Sequence, residues 1–184
     1  GAEAALAQAK SKSKGGAWVQ LFDGKTLDNW TKIGEANWRV VEGSAQADQG
    51  SKAGFLVSKA TFRDFTLRAE FWADEKANSG IFIRCSDPKE ITAKNAYEVN
   101  IFDQRPDPSY GTAAIVDVAK VEPMPKAAGK WNTFEVTAKG DHLVVIFNGQ
   151  KTVDVKDAKH ASGPIGLQWA AGVIKFRKVE IRPM

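Results

Sequence analysis

The chain has 184 residues, 43% hydrophobic and 10% aromatic, which is enough apolar material for one packed domain. Its formal charge is +4, but Lys10, Lys12 and Lys14 against Glu3 supply +2 of that, which leaves +2 for the rest of the chain. So small a basic excess excludes nucleic acid as an expected partner. No apolar run approaches the ~20 residues that span a bilayer, so no transmembrane segment is expected.

The first 17 residues predict a flexible leader, because Ala, Lys, Ser and Gly dominate them, and residues 18–184 predict a single domain. A turn and loop are expected from Asp23 to Trp30. Short runs with strand periodicity occur along the rest of the domain. The predicted strands are Trp18–Phe22, Trp38–Glu42, Ser44–Ala47, Phe55–Ser58, Phe65–Ala73, Gly80–Ser86, Ala96–Phe102, Thr112–Val118, Trp131–Lys139, His142–Asn148, Lys151–Val155, Ile165–Ala170 and Val173–Arg182. About a dozen short strands without a long amphipathic helix predict an all-β protein, a jelly-roll sandwich of two antiparallel sheets.

Several predicted strands carry polar side chains on one face. Side chains alternate along a strand, so the polar residues of Phe65–Ala73 oppose an apolar set that includes Phe65, Leu67 and Phe71. Three later strands repeat the pattern. If these strands share one sheet, seven side chains line a single groove: Arg68, Glu70, Trp72, Arg84, Glu98, Asn100 and Gln168.

Such a groove suits a sugar. Carboxylates and amides bind hydroxyl groups, arginine offers a rigid donor fork, and Trp72 could cover the apolar side of a pyranose ring. Glycoside hydrolysis needs two carboxyl groups flanking the scissile bond, and Glu70 and Glu98 are the pair with matching strand phase. The alternative is that both form surface or cross-strand ion pairs with Arg68 and Arg84.

Other reactive residue types predict little chemistry. The single Cys85 excludes an intramolecular disulfide, and its phase with Ile81 and Ile83 predicts a buried, unreactive thiol. No Cys/His cluster has zinc spacing, so no metal site is predicted, and a cofactor remains unknown. Asp103 and Asp107 are expected to cap loops rather than to bind Ca²⁺.

Motifs ordered along nearly the whole chain resemble one family. FDGKTLDNW, WRVVEG, DFTLRAEF, NSGIFIR, YEVNIFD, GKWNTFEVTAKGDHLVVIFNG and GPIGLQW together resemble the 3-keto-disaccharide hydrolase domain family. The resemblance implies a concanavalin A-like jelly roll and a secreted or periplasmic bacterial glycosyl hydrolase. It also places the family's acidic strand residue at Glu70, its arginine at Arg84 and its YEVQ motif at Tyr97, Glu98, Val99 and Asn100.

Two positions depart from the family pattern. Asn100 stands where the family usually has glutamine, and Trp169 and Ala170 stand where many members have an acidic residue and a histidine. Three hypotheses therefore stay open: a hydrolase acting on glycosides, with 3-keto-glycosides as one candidate substrate; a lectin-like carbohydrate-binding module; and a cell-envelope interaction domain. The sequence predicts neither the sugar and linkage nor the oligomeric state.

Overall fold

The computed structural model describes residues 16–184, so the predicted leader lies outside the described residues except for its last two positions. The described chain forms thirteen strands in two antiparallel sheets, with one turn of 3₁₀ helix at Pro108–Tyr110. This confirms the all-β sandwich.

The larger sheet, sheet A, has the strand order β11-β10-β9-β6-β13-β4-β3, and β1 also pairs with β13. Its strands are β1 Val19–Gln20, β3 Arg39–Val41, β4 Ser44–Ala47, β6 Phe65–Ala73, β9 Trp131–Lys139, β10 His142–Phe147, β11 Gln150–Lys156 and β13 Ile174–Pro183. Sheet B has the order β2-β5-β12-β7-β8. Its strands are β2 Trp30–Ala36, β5 Gly50–Phe62, β7 Asn78–Ile83, β8 Tyr97–Ile101 and β12 Gly163–Ala171.

The main core lies between the two sheets. Alternate residues of each strand point inward, as the period-two pattern requires, and bury fully apolar side chains such as Leu67 of β6 and Leu167 of β12. Aromatic rings fill the centre: Phe71 stacks on Phe134 at a centroid distance of 5.2 Å, and Phe147 lies 5.2 Å from Phe134. The opposite face of each sheet is called here its outer face.

Part of the outer face of sheet B is covered by a second apolar cluster. Phe55, Val57 and Phe82 on the sheet pack with Cys85, Ile91 and Ala96 from the segment between β7 and β8, and Ile33 packs on its edge. Cys85 is buried, as predicted, and burial raises the pKa of its thiol. This packing holds the segment between β7 and β8 against the outer face of sheet B.

Two segments differ from the sequence prediction. Trp30–Ala36 is an edge strand that begins where the predicted loop ends and was not predicted, because its mixture of Gly34 with exposed polar residues hides the alternation. Thr112–Val118, predicted as a strand, consists of turns joined to β8 through a single bridge between Ile115 and Val99. Ala113 and Asp117 have positive φ angles of 73° and 61°, which an extended strand does not allow.

Candidate functional site

The structure divides the seven predicted groove residues between two surfaces. Arg68, Glu70 and Trp72 lie on β6 of sheet A, whereas Glu98, Asn100 and Gln168 lie on β8 and β12 of sheet B. The whole core separates the two outer faces. The prediction of one groove lined by all seven is therefore wrong, and Glu70 and Glu98 cannot flank the same glycosidic bond.

Glu70 is held by cations on the outer face of sheet A. Arg177 donates from Nε to its Oε2 at 2.7 Å, and the Nζ of Lys178 lies 3.5 Å from its Oε1. Arg68 pairs instead with Glu135 at 3.0 Å. The alternative of cross-strand ion pairs thus describes Glu70 and Arg68, although with different partners from those expected.

Arg84 is a structural residue at one end of the sandwich. It is 1% exposed, and its φ of 54° ends the alternation of β7, so its side chain does not follow the predicted face. Its guanidinium donates to the carbonyl oxygens of Arg63 (2.6 and 2.9 Å), Gly140 (2.6 Å) and His160 (3.3 Å) and to the carboxylate of Asp64 (3.0 Å). These five bonds use all five donors of an arginine, so none is left for a substrate.

The outer face of sheet B brings the remaining candidates together. Strand register defines two neighbouring rows across this sheet. One row is Ile33, Phe55, Gln168, Gly80 and Asn100, and the other is Thr31, Val57, Gly166, Phe82 and Glu98. In the first row Ile33 and Gln168 are partly exposed, whereas Phe55, Gly80 and Asn100 are buried. The loop that follows β8 covers the β8 end of this face.

Glu98 is the half-buried carboxyl group of this face. Burial raises its pKa to about 7; the positive charge of Arg105 opposes that rise, and the negative charge of Asp117 adds to it. Its backbone carbonyl accepts a hydrogen bond from Val116 N at 3.0 Å, which attaches the covering loop to β8. A carboxyl group with a pKa of about 7 can both take up and release a proton near neutral pH.

Glycine provides the space beside that carboxyl group. A Cβ atom at Gly80 would lie 3.4 Å from Glu98 Cγ, 3.4 Å from the Phe82 ring and 3.2 Å from the carbonyl oxygen of Val99. These contacts are tight, so glycine allows Glu98 and Phe82 to approach the strand backbone. The NSG motif therefore has a local packing reason.

The two amide side chains of the first row, Gln168 and Asn100, differ in their hydrogen bonding. The Oε1 atom of Gln168 is buried and accepts no hydrogen bond from the described residues. Asn100 is 1% exposed, donates to the carbonyl oxygen of Tyr110 at 2.9 Å and accepts from Ile101 N at 3.0 Å. Asn100 thus anchors the loop and lies beneath the surface, which corrects its expected role as a direct sugar ligand, while Gln168 keeps a free acceptor.

Sequence reasoning missed Arg105 and Asp117, the two charges that act on Glu98. Asp117 fell inside a predicted strand, and Arg105 fell between two predicted strands. Neither has a local pattern that indicates proximity to Glu98. Only the pairing of residues 113–119 with the edge of β8 brings the loop onto this face.

Within residues 16–184, no three His, Cys, Asp or Glu side chains are grouped so that they could hold a metal ion. Asp103 accepts hydrogen bonds from Thr112 Oγ1, Ala127 N and Ala128 N, so it caps a loop as expected. No helix in the described part of the chain has the length and hydropathy to cross a membrane.

The sandwich and its polar outer face are those of a carbohydrate-related jelly-roll domain. The chain belongs to the 3-keto-alpha-glucoside-1,2-lyase-like domain family, whose model matches residues 17–182. The family resemblance expected from the sequence motifs is confirmed. No curated protein is similar enough to the chain to count as a match.

Solved structures share the fold. A "putative glycosyl hydrolase" from Parabacteroides distasonis has a TM-score of 0.81 at 16% identity, with 96% of each chain covered. A second one from that organism has a TM-score of 0.75 at 24% identity, covering 92% of this chain and 100% of the other. The carbohydrate-binding module CBM66 from Bacillus subtilis has a TM-score of 0.65 at 18% identity, covering 84% and 95%. At these identities the similarity establishes the jelly-roll fold alone.

Proposed function

We propose that this protein binds a glycoside on the outer face of sheet B and cleaves it there, with Glu98 as the acid/base residue and 3-keto-glycosides as the substrate class. The observation that carries the proposal is a half-buried carboxyl group with a pKa of about 7, on the same face as the free acceptor of Gln168. A perturbed carboxyl group and an unsatisfied polar atom on the same surface are a common property of active sites.

The separation of Glu70 from Glu98 favours elimination over hydrolysis by two carboxyl groups. Hydrolysis needs two carboxyl groups that flank one bond, and Glu70 and Glu98 cannot act in this way because the core lies between them. Elimination needs only one positioned base, because a hydrogen next to a ketone is acidic enough for that base to remove it. This is consistent with the 1,2-lyase chemistry in the family's description.

In the proposed step one proton moves and one C–O bond breaks. The Glu98 carboxylate takes the proton from C2, next to the C3 ketone, and the electron pair of that C–H bond forms the C1=C2 double bond. The C1–O bond breaks, and the leaving alkoxide takes up the proton from the Glu98 carboxylic acid, which restores the carboxylate. Gln168 accepts a hydrogen bond from a ring hydroxyl.

A second candidate function is carbohydrate binding without cleavage. It is favoured by Ala170, which lies two residues beyond Gln168 on β12 and supplies no imidazole where many family members have one. A structural similarity to a carbohydrate-binding module is consistent with it. Export from a bacterial cell, which the resemblance implies, stays a prediction that fractionation of the source cells would check.

One experiment separates these functions. Wild-type protein, Glu98→Gln and Glu70→Gln are incubated with a 3-keto-α-glucoside and with its unoxidised parent, and product release and binding are both measured. We expect the wild type to release the alcohol, Glu98→Gln to be at least about 100-fold slower, and the matched Glu70→Gln control to remain active. Binding without release would favour the second function, and absence of both would refute the proposal.

A further inference from the structure

A second surface with ligand-binding chemistry lies on the outer face of sheet A. Trp72 of β6 and Trp131 of β9 are direct cross-strand partners there. Directly opposed residues have Cβ atoms about 4.5–5.5 Å apart, so the two indole groups are neighbours on one face. Trp131 is 37% exposed and is, with Met184, one of two exposed large hydrophobic residues among residues 16–184.

Two cations lie over these rings. The guanidinium carbon of Arg177 is 3.6 Å from the centroid of a Trp131 ring, and the Nζ of Lys175 is 4.9 Å from that of Trp72. Both distances are within the range of cation–π contacts. Lys175 is also the register partner of Trp72 on β13, so three adjacent strands contribute to the surface.

A β-bulge adds a third cation. The register between β13 and β6 shifts between Arg177 and Glu180, and Lys178 has a φ of 50°. A bulge changes the direction of side chains locally, and here Arg177 and Lys178, although consecutive, both reach the carboxylate of Glu70. We call Trp72, Trp131, Lys175, Arg177 and Lys178 the cationic tryptophan face.

This face has more donors than its single carboxylate can satisfy. Arg177 uses Nε for Glu70, while its terminal nitrogens make no hydrogen bond within the described part of the chain. Lys175 forms no ion pair with any described residue, and Lys178, 72% exposed, has only the 3.5 Å contact. Three positive charges therefore face one negative charge, so the surface is complementary to an anion.

We propose that the cationic tryptophan face binds an acidic polysaccharide, a sugar chain with carboxylate or sulfate groups. The adjacent indole rings match the apolar face of a pyranose, and the free guanidinium nitrogens match a carboxylate or sulfate. A sheet face is extended in two directions, which suits a chain rather than a single sugar. The core separates this face from Glu98, so the proposal does not depend on the proposed function.

Binding to immobilised polygalacturonate, with neutral dextran as the comparison, tests the proposal. We expect the wild type to be retained on polygalacturonate, with retention that weakens as salt is raised, and not to be retained on dextran. The variants Trp131→Ala and Lys175→Gln/Arg177→Gln should each reduce the affinity roughly tenfold or more. The matched control, Lys52→Gln, removes an exposed lysine of sheet B and should bind as the wild type does.

Three results would overturn the proposal. They are no retention of the wild-type protein, equal retention of the variants of the face, and equal retention on single-stranded DNA, which would indicate charge attraction without sugar recognition. Thermal melting of each variant shows whether it is folded. Glu98→Gln should keep its binding to polygalacturonate, which separates this surface from the site on sheet B.

Discussion

Replacing Glu98 with glutamine should stabilise the protein at alkaline pH, because the native fold favours the neutral form of this side chain. Burial raises the pKa of Glu98 from an ordinary value of 4.5 to about 7. The native state therefore binds this proton more tightly than the unfolded state does. Below pH 4.5, the pKa of Glu98 in the unfolded chain, Glu98 is protonated in both states and does not change the free energy of unfolding. As the pH rises from 4.5 to about 7, the free energy of unfolding falls.

The magnitude follows from the size of the pKa change. At about 1.4 kcal/mol per unit, ionising Glu98 in the native state costs on the order of 3 kcal/mol near pH 8 and less than about 1 kcal/mol near pH 5. Glutamine has nearly the same shape and no charge, so it removes this cost. For a domain of this size, Glu98→Gln should melt roughly 5–10 °C higher than the wild type near pH 8.

Urea and thermal unfolding of both proteins at the two pH values measure this difference. Glu70→Gln is the control, because its carboxylate is paired with Arg177, and the loss of this pair should destabilise the protein by up to about 1 kcal/mol. A Glu98→Gln protein that is less stable than the wild type near pH 8 would refute the reasoning. Glu98 would then be a structural partner of Arg105, and its proposed acid/base role would lose its physical basis.

Three further substitutions test the other assignments. Arg84→Gln should reduce the free energy of unfolding by about 3–5 kcal/mol, since it leaves buried acceptors unpaired, and an unchanged melting temperature would contradict its structural role. Gln168→Met removes an unpaired buried oxygen, so stability should stay the same or rise, while glycoside affinity should fall about tenfold in calorimetric titration. Unchanged affinity would exclude Gln168 from the ligand site. Gly80→Ala should displace Glu98 and reduce turnover with a loss of about 1 kcal/mol or less in stability, and full activity would contradict the crowding at this position.

The strands were the most predictable part of the fold. Phe65–Ala73 and Trp131–Lys139 have the predicted bounds, because clear alternation of apolar and polar residues marks half-buried strands. The edge strand Trp30–Ala36 was missed, since an edge strand exposes both of its faces and loses that alternation. Periodicity therefore identifies strands that bury one face and expose the other more reliably than strands that expose both faces.

Sheet membership could not be predicted in the same way. Alternation shows which residues of a strand share a face, but it does not show the sheet to which the strand belongs. Glu70 and Glu98 have the same phase relative to their apolar neighbours, yet β6 pairs with β9 and β13 while β8 pairs with β7. Register between strands distant in sequence is a tertiary property, so the pairing of the two carboxylates was wrong for a reason that no local pattern reveals.

What separates the functional candidates from the structural residues is the state of their polar atoms. Glu70 and Arg84 match family motifs, but their charged groups are paired with cations in one case and with carbonyl and carboxylate oxygens in the other. Glu98 is half-buried with a pKa raised mainly by burial, and the Oε1 of Gln168 is buried and receives no hydrogen bond from residues 16–184. Burying a carboxyl group and an unpaired oxygen lowers the stability of the fold, and such groups persist where they serve a function. A bound ligand can donate a hydrogen bond to Gln168 and exchange a proton with Glu98. The proposed site therefore lies on sheet B, where the half-buried carboxyl group of Glu98 and the unpaired oxygen of Gln168 share one face.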